Sequence, residues 1–212
     1  MKQFMLIAVL GLSLLFLSAC GLSKTTDRPL DAPAASDTVL KDGGYSVDTI
    51  NSQVTWGANY LVGATHTGFI AIKSGQLEIK NNQLIGGSFT IDMAKISNDQ
   101  NIEALVKHLN SDDFFSTATY PEARLVITSV PKIQEDGTYL IAADLTIKNK
   151  TAPITFSAKL TSDNGLLQAV SSFSIDRTIW DIKYRSGKFF QDLGDKVIND
   201  EIKFDIKIQA RQ

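Results

Sequence analysis

The sequence has little of the side-chain chemistry on which catalysis and metal binding depend. Its 212 residues include one cysteine and two histidines, so neither a Cys–His nucleophile pair nor a histidine-rich zinc site is expected. It has no Gly-x-Ser-x-Gly elbow, no phosphate loop ending in Gly-Lys-Ser/Thr and no His-Glu-x-x-His pair. We therefore expect no catalytic residues, no metal and no cofactor.

An excess of charge of one sign is also absent. Lysine and arginine number 21 against 23 aspartate and glutamate residues, which gives a net charge of −2. Such a balance lacks the basic surface that nucleic-acid binding requires, so nucleic acid is not an expected partner.

The N-terminal segment has the layout of a secretory signal peptide. Lys2 precedes an apolar run of about fourteen residues, or about 21 Å of helix, which is shorter than the roughly 30 Å core of a bilayer. Leu17-Ser18-Ala19-Cys20 resembles the lipobox of bacterial lipoproteins, and Cys20 is the single cysteine of the chain. We expect cleavage after residue 19, lipidation of Cys20, and anchoring to the inner or outer membrane in the cell envelope. The alternative is a buried or free thiol that follows an ordinary signal peptide.

Composition divides the rest of the chain into a linker and one domain. Residues 20–43 are poor in large apolar side chains and include Pro29 and Pro33, which predicts a flexible linker behind the acylated cysteine. Residues 44–212 are long enough for one substantial core and too few to favour two domains.

Alternation of apolar and polar residues predicts that this domain is all-β. The last segment shows it best, because Ile202, Phe204, Ile206 and Ile208 alternate with polar residues. Similar runs recur at 54–56, 68–73, 76–80, 84–92, 123–130, 139–148, 154–160 and 167–177, with hairpin residues at 81–82, 136–137, 149–150 and 163–165. About eight sequential antiparallel strands would leave two open edges, so we favour closure into an up-and-down β-barrel over a sandwich.

One stretch has the spacing of a helix instead of a strand. Ile102, Leu105, Val106 and Leu109 repeat at the interval of a one-sided helix. We expect a short helix near 100–110 that covers one end or flank of the barrel.

Several local motifs, in this order, resemble the YceI-like family of exported proteins over about residues 45–210. The most specific are the segment from Leu109 to Phe115 followed by Tyr120-Pro121, and Asp176-Arg177-Thr178-Ile179-Trp180; the others are Tyr45-Ser46-Val47-Asp48, Trp56, His66-Thr67-Gly68-Phe69, Gly86-Gly87-Ser88-Phe89-Thr90-Ile91-Asp92 and Ala143-Asp144-Leu145-Thr146-Ile147.

The resemblance implies a lipocalin-like barrel whose apolar tunnel holds a polyisoprenoid, an isoprenoid quinone or another long-chain lipid. It implies binding, sequestration or transport of that lipid and not its turnover. An eight-stranded barrel has room for one elongated apolar ligand, which is compatible. The membrane, through the acyl chains of Cys20, is a further expected partner, and a homodimer is compatible with the sequence.

Twelve positions are the candidate ligand contacts: Trp56, His66, Phe69, Phe114, Phe115, Phe173, Ile175, Arg177, Trp180, Tyr184, Phe189 and Phe190. Phe173, Ile175 and Arg177 share one strand face, so an inward face would place the arginine near a polar or phosphate head. The alternative for Arg177 is an ion pair with a carboxylate, such as the neighbours of Asp176 across the sheet or Asp181.

The other candidates also have structural alternatives. Phe114 and Phe115 are suited to plugging one end of the barrel. The aromatic residues Trp180, Tyr184, Phe189 and Phe190 are suited to lining or closing a lipid channel. Plain core packing explains aromatic residues at these positions equally well. His66 is placed to bond a headgroup or to respond to pH, or to make a structural hydrogen bond.

Two other functions remain open at this point. An enzyme acting on a lipid-like substrate would need two carboxylates that converge near the cavity with perturbed pKa values. A surface interaction protein would have a barrel packed solid and an exposed apolar or aromatic patch.

Overall fold

The structure is a computed structural model that describes residues 39–212, apart from the side chains of Pro131 and Lys132. The signal peptide, Cys20 and most of the linker lie outside the described residues, so cleavage and lipidation remain predictions. The described residues all belong to one compact unit. Within residues 39–212, no helix combines the length and the apolar character that crossing a bilayer requires.

The domain consists almost entirely of strands. They are β1 (Gly43–Val47), β2 (Gln53–Tyr60), β3 (Thr65–Lys80), β4 (Gln83–Asp92), β5 (Glu122–Ile133), β6 (Thr138–Ile147), β7 (Lys150–Asp163), β8 (Leu166–Asp176) and β9 (Ile198–Arg211). One α-helix, α1 (Glu103–Asn110), lies between β4 and β5, and 3₁₀ turns cover Met93–Lys95, Arg177–Trp180 and Gly194–Lys196.

The strands close into a barrel. From β2 to β9, each strand pairs antiparallel with the next one, and β9 pairs back with β2. The short β1 lies between the far ends of β3 and β9, so β1 and β2 together fill one position of an eight-position barrel. The predicted up-and-down barrel is confirmed.

Tight turns join the strands where asparagine and glycine supply positive φ. Asn81 and Asn82 connect β3 to β4 with φ of 50° and 61°, and Asn164-Gly165 connects β7 to β8 in the same way. The turn between β6 and β7 is Lys148-Asn149, one residue earlier than the sequence pattern indicates.

The runs at 68–73 and 76–80 form the single long strand β3. Ser74-Gly75 interrupts the apolar pattern, yet both residues pair with β4, after a bulge at Lys73, and form no turn. A Cβ at Gly75 would lie 2.7 Å from a Val47 methyl and 2.8 Å from the Phe89 ring. The glycine is there because side chains of two other strands pack against the backbone.

Inward-facing side chains form one cluster at each end of the barrel. The cluster at the terminal end, where the chain termini of the domain meet, includes Leu40, Tyr45, Leu77, Tyr139, Leu167 and Ala210. The cluster at the helix end includes Trp56, Leu109, Phe114, Phe115, Trp180 and Ile182. Ile91, Leu125 and Phe204 contact both clusters from the middle of the barrel.

The predicted helix is confirmed and covers one end of the barrel. Leu109 is buried in the cluster at the helix end, and Leu105 packs against it. Ile102 precedes the helix and is exposed. The apolar stripe of α1 therefore faces the barrel over its last turns, while its first turn faces solvent.

The folded domain begins slightly before the predicted boundary at residue 44. Leu40 is buried among the side chains of the terminal end, and its backbone N–H donates to the side chain of Asn82. The Asp42 carbonyl accepts a hydrogen bond of 2.9 Å from the Gln212 side chain. Residues 40–43 thus contact the domain, because Leu40 is buried in it and Asp42 bonds to Gln212.

Candidate ligand-binding cavity

A cavity of about 160 Å³ lies between the two end clusters. Its middle section is lined by Phe89, Ile91, Leu125, Phe156, Phe173 and Phe204. These side chains face inward but are only half-buried, because they border empty space instead of packing atoms. The cavity contradicts the requirement of the interaction-protein alternative that the barrel be packed solid.

Polar groups are rare on the cavity wall. Among the described residues that line it, Ser171 and Arg177 alone carry a polar side chain. The Ser171 hydroxyl donates to the Ser157 carbonyl at 2.6 Å. No carboxylate belongs to this lining, so the converging acidic pair that the enzyme alternative needs is not found there.

Arg177 lies at the helix end, and its hydrogen bonds are made within the protein. Its Nε donates to the Asn199 carbonyl at 3.1 Å, Nη1 to the Ile182 carbonyl at 2.7 Å, and Nη2 to the Ile198 carbonyl at 3.1 Å. Nη2 also contacts Asp200 Oδ1 at 3.2 Å. The structure thus shows an ion pair rather than an unengaged guanidinium directed at a ligand head.

The partner of Arg177 is a carboxylate across the sheet from Asp176, the first of the two alternatives from the sequence, and not Asp181, the second. Asp200 lies on β9 next to Glu201, which pairs with Asp176. Asp181 is exposed, follows a 3₁₀ turn with a left-handed backbone, and contacts Lys150 and Lys183.

Asp176, which precedes Arg177, is held in its charged form. Burial raises the pKa of Asp176, but hydrogen bonds from Lys188 and Thr178 outweigh it and leave the pKa below its ordinary value. Burial lowers the pKa of Arg177, and the charge of Asp200 opposes that change. Arg177, Asp176 and Asp200 thus form a polar layer at the helix end of the apolar cavity.

The two tryptophans anchor the wall at the helix end. The Trp56 indole N–H donates to the Ser97 carbonyl at 2.9 Å, and Trp56 lines the cavity. The Trp180 indole N–H donates to the Leu145 carbonyl at 3.0 Å, but Trp180 packs behind the lining. Each indole is satisfied by a backbone carbonyl, as buried tryptophan requires.

An aromatic group closes the cavity beneath α1. Phe114 and Phe115 are buried and line the cavity at this end, where the sequence predicts a plug. The Tyr184 and His108 rings stack edge-on at 4.6 Å, and both contact Phe114. Tyr184 therefore supports the plug from outside without lining the cavity.

Four other candidates lie away from the cavity. Phe69 follows the inward-facing Gly68 on β3, so alternation turns its side chain outward, where it is 42% exposed. Phe189 and Phe190 lie in the connection before β9 and are about half exposed. His66 lies at the rim, and its Nδ1 is 2.8 Å from Gln100 Oε1, which is the structural hydrogen bond weighed as its alternative role.

Six of the twelve candidates therefore line the cavity, namely Trp56, Phe114, Phe115, Phe173, Ile175 and Arg177. Two lining residues that the candidate set omits, Phe156 and Phe204, lie on either side of Phe173. Their rings are 4.8 and 5.7 Å from it. The alternation of apolar and polar residues in β7 and β9 would have indicated that Phe156 and Phe204 face inward. In residues 39–212, no group of three or more potential metal ligands is placed to hold an ion.

Known proteins resemble this chain in sequence or in fold. A "UPF0312 protein" from Shewanella denitrificans is 28% identical over 158 residues, covering 74% of this chain and 73% of that protein. The crystal structure of BcnA from Burkholderia cenocepacia matches with a TM-score of 0.64 at 20% identity, covering 77% of this chain and 98% of BcnA.

A second solved structure is a polyisoprenoid binding domain from Saccharophagus degradans, implicated in plant cell wall breakdown. It matches with a TM-score of 0.57 at 14% identity, covering 79% of this chain and 97% of that domain. The family model of the YceI-like domain matches residues 45–210, the whole barrel from β1 to β9. The chain therefore belongs to the YceI-like family.

Proposed function

We propose that this protein binds a long apolar chain of the isoprenoid type inside the barrel and holds it for sequestration or transport. The observation that carries the proposal is the cavity itself, whose middle section is bordered only by apolar side chains. Such a wall offers dispersion contacts and burial along a chain but no group that would react with it. The polyisoprenoid binding domain from Saccharophagus degradans, which has the same fold, supports the choice of ligand class.

Shape and burial would provide most of the affinity. Each isoprene unit buries roughly 80 Å² and contributes about 2 kcal/mol at about 25 cal/mol/Å², before the cost of ordering the chain. The cavity of about 160 Å³ is smaller than the roughly 300–1,000 Å³ of typical ligand sites. Binding of a long chain therefore requires lining side chains to move aside.

Native mass spectrometry with organic extraction tests the proposal directly. Residues 37–212, which include Leu40, are purified from a bacterial host and measured directly. A second portion is delipidated and refolded, as the control for adventitious lipid. A bound lipid of isoprenoid or long-chain mass, at one per chain, is the expected result. A clean ligand-free mass, with no uptake of added geranylgeraniol or isoprenoid quinone, would overturn the proposal.

Filling the middle of the barrel is expected to abolish this binding. Leu125→Trp adds ring volume where Leu125 borders the cavity, and we expect at least a tenfold loss of geranylgeraniol affinity. The matched control is Val126→Trp, since Val126 is the next residue on β5 and its side chain is 47% exposed on the outer face. Equal affinities for the two variants would show that the chain binds elsewhere.

We also propose that Cys20 anchors the protein to a membrane of the cell envelope, inner or outer. The motif at residues 17–20 supports this, and two or three acyl chains would hold the protein firmly. In the native host, Cys20→Ser is expected to move the protein from the membrane fraction to the released fraction and to remove the added acyl mass. An unchanged distribution and mass would contradict lipidation.

A further inference from the structure

The wall of the barrel is incomplete between β7 and β8. Residues 158–163 of β7 pair with residues 171–166 of β8, and the pairing stops there. Residues 151–157 and 172–176 continue as strands but have no ladder between them. We call this unpaired stretch the slit.

The slit is a local feature of one strand pair. On its other side, β7 pairs with β6 over its first ten residues, Lys150–Lys159, and β8 pairs with β9 as far as Asp176. Pro153, which has no backbone N–H to donate, lies in the unpaired part of β7. Both strands are therefore ordinary members of the sheet that form no backbone ladder with each other here, and the bond from the Ser171 hydroxyl to the Ser157 carbonyl marks the edge of the slit.

The slit has two definite limits. At one, the Ala158–Ser171 pair begins the intact ladder. At the other, the Arg177–Trp180 turn crosses toward β6, where the Trp180 indole donates to the Leu145 carbonyl at 3.0 Å. At about 3.3 Å per residue the unpaired part of β7 is about 20 Å long, enough for several isoprene units side-on.

Side chains fill the slit where hydrogen bonds are missing. The Phe156 and Phe173 rings face each other across it, with centroids 4.8 Å apart and an interplanar angle of 22°. Both rings also line the cavity. Opening the wall at the slit therefore costs only the contacts of two partly buried rings. Opening it between paired strands would break a row of backbone hydrogen bonds.

A shallow depression of about 430 Å³ lies on the outer wall next to the slit. Ala158, Val170, Ser171 and Ile206 line both this depression and the inner cavity. The outer depression and the inner cavity thus share lining residues at this limit of the slit.

Both ends of the barrel are closed more firmly. At the terminal end, Leu167 and Ala210 are fully buried and Tyr45 donates to the Lys41 carbonyl at 3.0 Å. At the helix end, Trp180 and Ile182 are equally inaccessible beneath the bonds of Arg177. Opening either end requires breaking a packed cluster.

We infer that the ligand passes into and out of the cavity sideways through the slit, with the Phe156–Phe173 stack as its closure. This inference rests on the proposed function and adds the route. The slit accepts a flexible apolar chain laid along it, and it excludes rigid ligands wider than the opened gap.

Cross-linking across the slit tests the route. Residues 37–212 contain no cysteine, so Thr155→Cys/Ser174→Cys places a thiol on each outer face, at positions that would pair if the ladder continued. A short bis-maleimide then joins the two strands. The control is Thr161→Cys/Gln168→Cys, an exposed pair in the intact ladder of the same strands.

Time-resolved native mass spectrometry follows geranylgeraniol uptake by each variant before and after cross-linking, so each variant is its own reference. The slit cross-link is expected to slow uptake at least tenfold, and the control cross-link to leave it unchanged. Equal rates for both cross-linked variants would overturn the route while leaving the proposed function intact. No uptake before cross-linking would overturn the proposed function and, with it, the inference.

Discussion

Replacing Arg177 with alanine is expected to lower the free energy of unfolding by about 3–5 kcal/mol, the cost of breaking a buried pair on one side. The side chain is 1% exposed and donates to three carbonyls as well as to Asp200. Alanine would leave those carbonyls without donors and open a void beside Phe114, whose ring is 6.0 Å from the guanidinium carbon. Chemical denaturation monitored by tryptophan fluorescence measures the change.

Arg124→Ala is the matched control for this prediction. Arg124 is an exposed arginine on β5, and a surface substitution of this kind changes stability by about 0.5 kcal/mol or less. Arg177→Met, which restores volume but no donors, is expected to fall between the two. A loss below about 1 kcal/mol for Arg177→Ala would show that the ion pair and its carbonyl contacts contribute little to the fold.

Replacing Gly68 with alanine is expected to cost at least about 2 kcal/mol, toward the upper part of the range for overpacked sites. A Cβ at this position would lie 1.9 Å from the Ser97 carbonyl oxygen and 2.7 Å from Asn98 Cα. Both are backbone atoms, and Ser97 is fastened to β3 by its bond to the Phe69 carbonyl at 2.9 Å. The loop cannot yield without losing that bond and the one from Trp56.

Gly57→Ala on the adjoining strand is the control, since its Cβ would meet only a Thr67 methyl at 3.6 Å. Thermal unfolding of both variants, together with the near-ultraviolet circular dichroism of Trp56, separates loop displacement from a general loss of stability. Equal unfolding temperatures for the two variants would mean that the loop at 97–98 moves freely.

Much of the barrel could be predicted from the alternation of side chains. In β6 every second residue from Tyr139 to Ile147 is buried, and β9 shows the apolar face expected from Ile202 to Ile208. A half-buried wall imposes this period on any sequence that forms it. The helix near residue 103 follows from the same reasoning with the period of 3.6 residues.

The pairing between strands was harder to predict from the sequence, because backbone hydrogen bonds do not determine which side chains alternate. The continuity of β3 through Ser74-Gly75 depends on Val47 and Phe89, which are distant in the chain. The gap between β7 and β8 is marked in the sequence only by Pro153, and a proline at one position is compatible with many other arrangements.

The sequence predicted which strand face lines the cavity, but it did not predict the full set of lining residues. The face shared by Phe173 and Ile175 does line the cavity, whereas the exposed Phe189 and Phe190 show that aromatic content alone does not locate a wall. The ion pair of Arg177 with Asp200 agrees with the alternative of a carboxylate across the sheet from Asp176. Its bonds to the Ile182, Ile198 and Asn199 carbonyls involve backbone groups, which side-chain patterns do not reveal.

The pairing of β9 with both β2 and β8 joins segments that are far apart in the chain. Val54 pairs with Ile206, 152 residues away. Closing so long a loop costs more entropy than forming a hairpin, because the ends of the loop must meet before any contact stabilises them. We therefore expect the seam between β2 and β9 to form after the sequential hairpins and to limit the folding rate of the barrel.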